Sequence, residues 1–208
     1  MKSKMNEKQY IFILTFLIIF FILVFSYLDN KVILNNKLSW ALDLAFDLNA
    51  IFNTQKGNFL ITTIPGENIF WNFHSSGPFF LFMSFFVRLF KNNWFYFSLF
   101  KILWLFAGVI PIYLITKNKF NNCEYAVFFS LSYLFYPMFQ IICLSDFKPL
   151  NMIITPLLFS FYFFETKRYL PANIFLFIAL LIREEAIYLV ASMLSFFFIR
   201  LLKKGKRY

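Results

Sequence analysis

Residues 10–28 carry no charged side chain, and a run of that length lets an α-helix cross the ~30 Å hydrocarbon core of a bilayer. Further apolar segments follow at 94–116, 125–144, 150–164, 170–182 and 186–199. Several are shorter than the ~20 residues of a perpendicular span. The last two flank Arg183-Glu184-Glu185, which reads as the break in a pair of short helices. Composition closes off the soluble alternative. The chain is 61% hydrophobic and 14% charged, with 35 Phe in 208 residues, whereas soluble domains are ~45–50% apolar and ~25% charged. One soluble core cannot bury so much apolar surface, so lipid solvates it. The expected fold class is all-α, a polytopic transmembrane helical bundle forming a single domain over residues 1–208.

A net charge of +10 raises nucleic acid as a partner, but that needs Lys and Arg gathered on a folded polar surface. Here they cluster between apolar runs, as they do on the cytoplasmic side of membrane proteins. No nucleic-acid partner is therefore expected, and membrane lipid is the expected surrounding. Lys2, Lys4 and Lys8 ahead of the apolar run resemble a secretion signal. The run continues to Leu28, however, and Ser26-Tyr27-Leu28 is no small-x-small cleavage site, so it reads as a retained first helix. Cys123 and Cys143 stand at opposite ends of one apolar run, where a helix separates them by ~30 Å and forbids a bridge. There is no CxxC spacing.

Residues 78–90 decide the topology, and the basic residues arbitrate. If this stretch does not cross, Lys2, Lys4, Lys8, Lys117, Lys119, Lys167 and Arg168 share one side with Arg200, Lys203, Lys204, Lys206 and Arg207, more than half of the 20 Lys and Arg. If it crosses, Lys117, Lys119 and the basic tail change sides. The expectation is an interfacial or partly inserted helix over 78–90, six spans in the inner (plasma) membrane, and both termini cytoplasmic. The long loop 29–93 is then external, with interfacial helices, and most of the ten acidic residues fall outside: Asp29, Asp43, Asp47, Glu67, Asp146, Glu184 and Glu185.

Within that loop Leu42, Phe46, Ala50 and Ile51 recur at helical spacing, which predicts a helix lying flat on the membrane. Asp43 and Asp47, four apart, share one of its faces and can point together into a polar cleft as base or metal ligand; a solvated face is the alternative. His74, the only histidine, can ligate a metal or bind an anion, or serve as an interfacial hydrogen-bonder beside Trp71 and Phe73. In Ser145-Asp146-Phe147-Lys148-Pro149, Pro149 suits the first turn of a helix. Asp146 either caps that helix or supplies a second external carboxylate, and Lys148 either snorkels or offers a cation to a phosphate. Arg183, Glu184 and Glu185 interrupt apolar sequence, where ionisable groups are functional candidates because burying them is expensive. Arg183 can hold a phosphate that Glu184 orients. Lys101 reads as an isolated, snorkelling lysine.

Taken in order, Asp43-Leu44-Ala45, His74-Ser75-Ser76-Gly77-Pro78, Asp146-Phe147-Lys148-Pro149 and Arg183-Glu184-Glu185-Ala186 resemble the motif series of an uncharacterised family of bacterial polytopic membrane proteins. That family is a domain of unknown function related to GT-C glycosyltransferases. The layout is similar to that of protein O-mannosyltransferases and lipid A aminoarabinose transferases, whose external-loop acidic residues flank the active site. The resemblance implies a GT-C-like N-terminal module moving a sugar from a polyprenyl-phosphate donor to an external acceptor. Asp43 and Asp146 are its catalytic carboxylates. Asp47, His74, Lys148, Arg183 and Glu184 contact substrate, and a divalent cation is left open as cofactor. The chain departs from the family in having Lys148 for a His, Leu150 for a Glu, and extra residues between His74 and Pro78. GT-C enzymes carry more helices and a further domain, so a partner chain supplying that C-terminal part is expected. The alternative is a non-catalytic or truncated membrane protein that binds a lipid-linked intermediate or a partner subunit.

Overall fold

The computed structural model describes residues 6–34, 41–59, 61–62, 69–70, 77–90, 94–145 and 147–205. They form an all-α helical bundle, interrupted by one short antiparallel pairing of β1 (Ile61–Thr62) with β2 (Ile69–Phe70), in which Ile61 faces Phe70. Helix α1 (Glu7–Leu34) continues past the charge-free run that ends at Leu28, taking Asp29 into the helix, with Lys31 in its last turn where the macrodipole favours a cation. Helix α2 (Ala41–Gln55) stops just before Gly57, whose φ of +92° suits glycine at the turn. Helix α3 (Gly77–Leu89) buries Phe79, Phe80, Met83 and Val87 and packs on α2.

Helices α4 (Trp94–Ala107) and α5 (Val109–Phe120) follow one another across Gly108 and together form one long apolar helix. A Cβ at Gly108 would lie 2.9 Å from the Tyr133 hydroxyl and 3.2 Å from the Leu105 carbonyl oxygen. Glycine therefore lets Tyr133 approach and donate a 3.3 Å hydrogen bond to that carbonyl. Asn121, left-handed at φ 48°, ends α5, and the Asn122 side chain caps α6 (Cys123–Leu134) by accepting from the Glu124 N–H at 2.7 Å. Both cysteines are free thiols.

The apolar stretch 125–144 is not straight. Tyr136 is extended, as the residue before a proline tends to be, and α7 (Pro137–Leu144) leaves α6 at 50°. Pro149 opens the single turn α8 (Pro149–Met152), with Lys148 at the N-cap and no side-chain cap. Helices α9 (Ile154–Glu165) and α10 (Tyr169–Ile182) form a close hairpin. Ser160 and Ala172 meet there with small side chains, and the Ser160 hydroxyl donates 2.9 Å to the Ala172 carbonyl. Helix α11 (Ala186–Gly205) completes the bundle.

By length and composition, two of the described helical segments can cross a membrane, Glu7–Lys31 and Phe95–Phe120, and the bent α6–α7 pair makes a third. Helices α3, α8–α9, α10 and α11 are apolar but shorter. Phe12, Phe16, Leu23, Leu170, Phe177 and Tyr188 are among many large apolar side chains left exposed, far more than a water-facing surface carries. Ion pairs Glu7 to Lys117 and Arg200 to Glu165, with the Tyr10 hydroxyl donating 2.8 Å to Glu124, gather at one end of the bundle. Asp29, Ser145, α2 and α3 lie toward the other.

Candidate functional site

Deep in that second end, the Lys101 ammonium of α4 donates 2.7 Å to Asp29 Oδ1 of α1 and 2.8 Å to the Ser145 carbonyl just after α7. The Ser98 hydroxyl, one turn before Lys101, donates to Asp29 Oδ2. Asp29 is 1% exposed and Lys101 2%. Lys101 is therefore not an isolated, snorkelling lysine, and Asp29 is not a loop carboxylate. The two neutralise each other inside the bundle, because a charge buried alone would be prohibitively expensive. One turn later on α4 the same architecture repeats with neutral groups: the Trp104 indole N–H donates 2.8 Å to the Met152 carbonyl, and the Thr155 hydroxyl donates 2.8 Å to the Trp104 carbonyl. Helix α4 thus fixes both sides of the α7–α8 connection.

Aromatic packing fixes the connection from within. Phe147, 3% exposed, stacks on Phe79 of α3 with ring centres 5.8 Å apart and meets Phe97 of α4 at 4.5 Å. The backbone leading to Lys148 is therefore held by side chains from two helices, α3 and α4.

The expected site residues fall as follows. Asp43 lies in the first turn of α2, and Asp47 one turn later is half-buried. Asp146 and His74 lie outside the described residues. Lys148 is half-buried at the start of α8. Arg183 and Glu184 occupy the turn between α10 and α11, as expected, but Arg183 donates 2.5 Å to Glu185 and Glu184 is exposed. Helix α2 packs on α3, α3 on α10, and α10 on α8, so the elements bearing Asp47, Lys148 and Arg183 form a continuous layer at this end. The Gln55 amide joins the first pair, donating 3.0 Å to the Ser84 carbonyl. Among the described residues no three His, Cys, Asp or Glu side chains group as a metal site.

The site residues that sequence reasoning passed over are Asp29, Ser98, Lys101 and Phe147. A charge just past one apolar run and a charge inside another were the available signal, and only the fold reveals that those charges meet.

An apolar helical bundle with a buried ion pair and a polar layer at one end defines a polytopic α-helical membrane protein. Residues 34–207 match the family of predicted membrane proteins of unknown function DUF2079, and the chain belongs to that family. No curated protein and no solved structure matches it.

Proposed function

We propose that the chain is a GT-C-like glycosyltransferase module that takes a sugar from a polyprenyl-phosphate donor and delivers it to an acceptor on the external face of the membrane. The observation that supports this reading is the Asp29–Lys101 pair, buried within apolar helices and bonded to the Ser145 carbonyl one residue before Asp146. Intramembrane ion pairs are expensive and are characteristic of working sites. This one braces the connection that carries Asp146 and Lys148. On this reading six spans put both termini in the cytoplasm, with α2 and α3 on the outer side.

In the proposed reaction the Asp43 carboxylate removes the proton from an acceptor hydroxyl or amine. The acceptor atom bonds to the anomeric carbon as that carbon's bond to the phosphate oxygen breaks, and polyprenyl phosphate leaves. Lys148 or Arg183 stabilises the departing phosphate, which carries the developing negative charge. Asp146 positions the acceptor or a divalent cation. Asp47, His74 and Glu184 complete the substrate contacts.

The test is complementation of a deletion strain, with surface glycans read by mass spectrometry and chain abundance by immunoblot. Asp43→Asn and Asp146→Asn are each expected to accumulate normally and fail to restore the glycan that the wild-type chain restores. Normal glycans with both variants would overturn the reading.

A further inference from the structure

At the basic end of the bundle, opposite the layer described above, α5, α9 and α11 enclose a cavity of about 350 Å³. Its volume is in the ~300–1,000 Å³ range of small-ligand sites. Asn118 and Lys119 line it from α5, Tyr162 and Glu165 from α9, and Phe196 and Arg200 from α11. The lining is divided by chemistry, with aromatic rings from α9 and α11 beside charged groups at the helix ends. Arg200 is held by an ion pair to Glu165, while Lys119 is exposed and makes no ion pair among the described residues. One carboxylate against two cations leaves the cavity with a net positive charge.

We propose that this cavity binds the phosphate of an anionic phospholipid headgroup, with the acyl chains running down the aromatic wall. Charge complementarity selects the phosphate: Lys119 and Arg200 converge on one cavity from two helices that the chain brings together from positions 81 residues apart. Arginine grips phosphate oxygens through paired N–H groups and lysine through a point charge. Position selects a lipid over a soluble anion, because Phe196 lies one helical turn from Arg200 on the same helix and continues the lining into apolar surface. The site stands apart from the proposed transfer reaction and needs none of its residues.

The test uses the full chain in detergent, titrated separately with phosphatidylglycerol, phosphatidylcholine and inorganic phosphate and read by native mass spectrometry. Phosphatidylglycerol adducts are expected to persist at activation energies that strip phosphatidylcholine. The double variant Lys119→Ala/Arg200→Ala removes both charge-assisted contacts and is expected to weaken phosphatidylglycerol binding by about tenfold or more. Glu165→Gln removes the competing carboxylate and is expected to strengthen binding, an effect that misfolding cannot imitate. Equal retention of the two lipids, an unchanged double variant, or inorganic phosphate displacing the lipid at millimolar concentration would each overturn the proposal.

Discussion

The Lys101 ammonium lies 2.7 Å from the Asp29 carboxylate, joining helices whose contact residues are 72 positions apart, and both side chains are shut away from solvent. Removing one partner strands the other. Lys101→Met or Asp29→Asn alone is expected to destabilise the bundle by about 3–5 kcal/mol. The paired replacement Asp29→Leu/Lys101→Met leaves no unpaired charge and is expected to recover most of that loss. Thermal unfolding of the purified chain in detergent measures all three, and a double variant no better than the singles would show that the pair contributes more than mutual neutralisation.

Arg183 offers the opposite case. Its 2.5 Å contact with Glu185 is partly open to solvent, and such pairs contribute about 0–1 kcal/mol. Arg183→Ala is therefore expected to unfold at nearly the wild-type temperature. On the proposed function it loses about tenfold in affinity for a polyprenyl phosphate, while Glu185→Gln loses little. Binding of the lipid measured for both variants separates a phosphate-holding arginine from a structural one.

Gly108 has no room for a side chain. Gly108→Ala sets a methyl 2.9 Å from the Tyr133 hydroxyl and 3.2 Å from the Leu105 carbonyl oxygen, and overpacking of this kind costs about 1–3 kcal/mol. Adding Tyr133→Phe removes the nearer atom and is expected to return part of the stability. Unfolding temperatures of the single and double variants check the coupling.

Topology is tested by reporters. With six spans, a reporter fused after Tyr208 gives a cytoplasmic signal, and one inserted after Phe59, beyond α2, gives an external signal. An external signal after Tyr208 would overturn the six-span arrangement.

Much of the helical frame was legible in the chain. Apolar runs announced α1 and, despite Lys101, the α4–α5 segment, Pro149 marked the first turn of α8, and Arg183 to Glu185 separated α10 from α11. The bend before Pro137 was signalled by the proline, but a run of apolar residues on both sides hid it, because hydropathy measures length and not direction. The buried network was hidden for a different reason. Asp29 borders one apolar run and Lys101 sits alone in another, and snorkelling is the local solution for such a charge. Which solution the protein uses depends on which helix lies alongside, and that is a property of tertiary packing. Phe147 was hidden among many phenylalanines, none marked by type as the one that anchors a connection.

The unequal lengths of the helices carry a consequence for the surrounding lipid. Helix α1, with 28 residues, extends about 42 Å, whereas α9 and α10, with 12 and 14, extend only about 18 and 21 Å. In the six-span arrangement a bilayer wetting both flanks pinches beside the α9–α10 hairpin or α1 leans, and the two distortions are resolved around a single small perimeter. In that arrangement acyl-chain length in the host membrane becomes a mechanical load on this bundle, one that falls hardest on the hairpin.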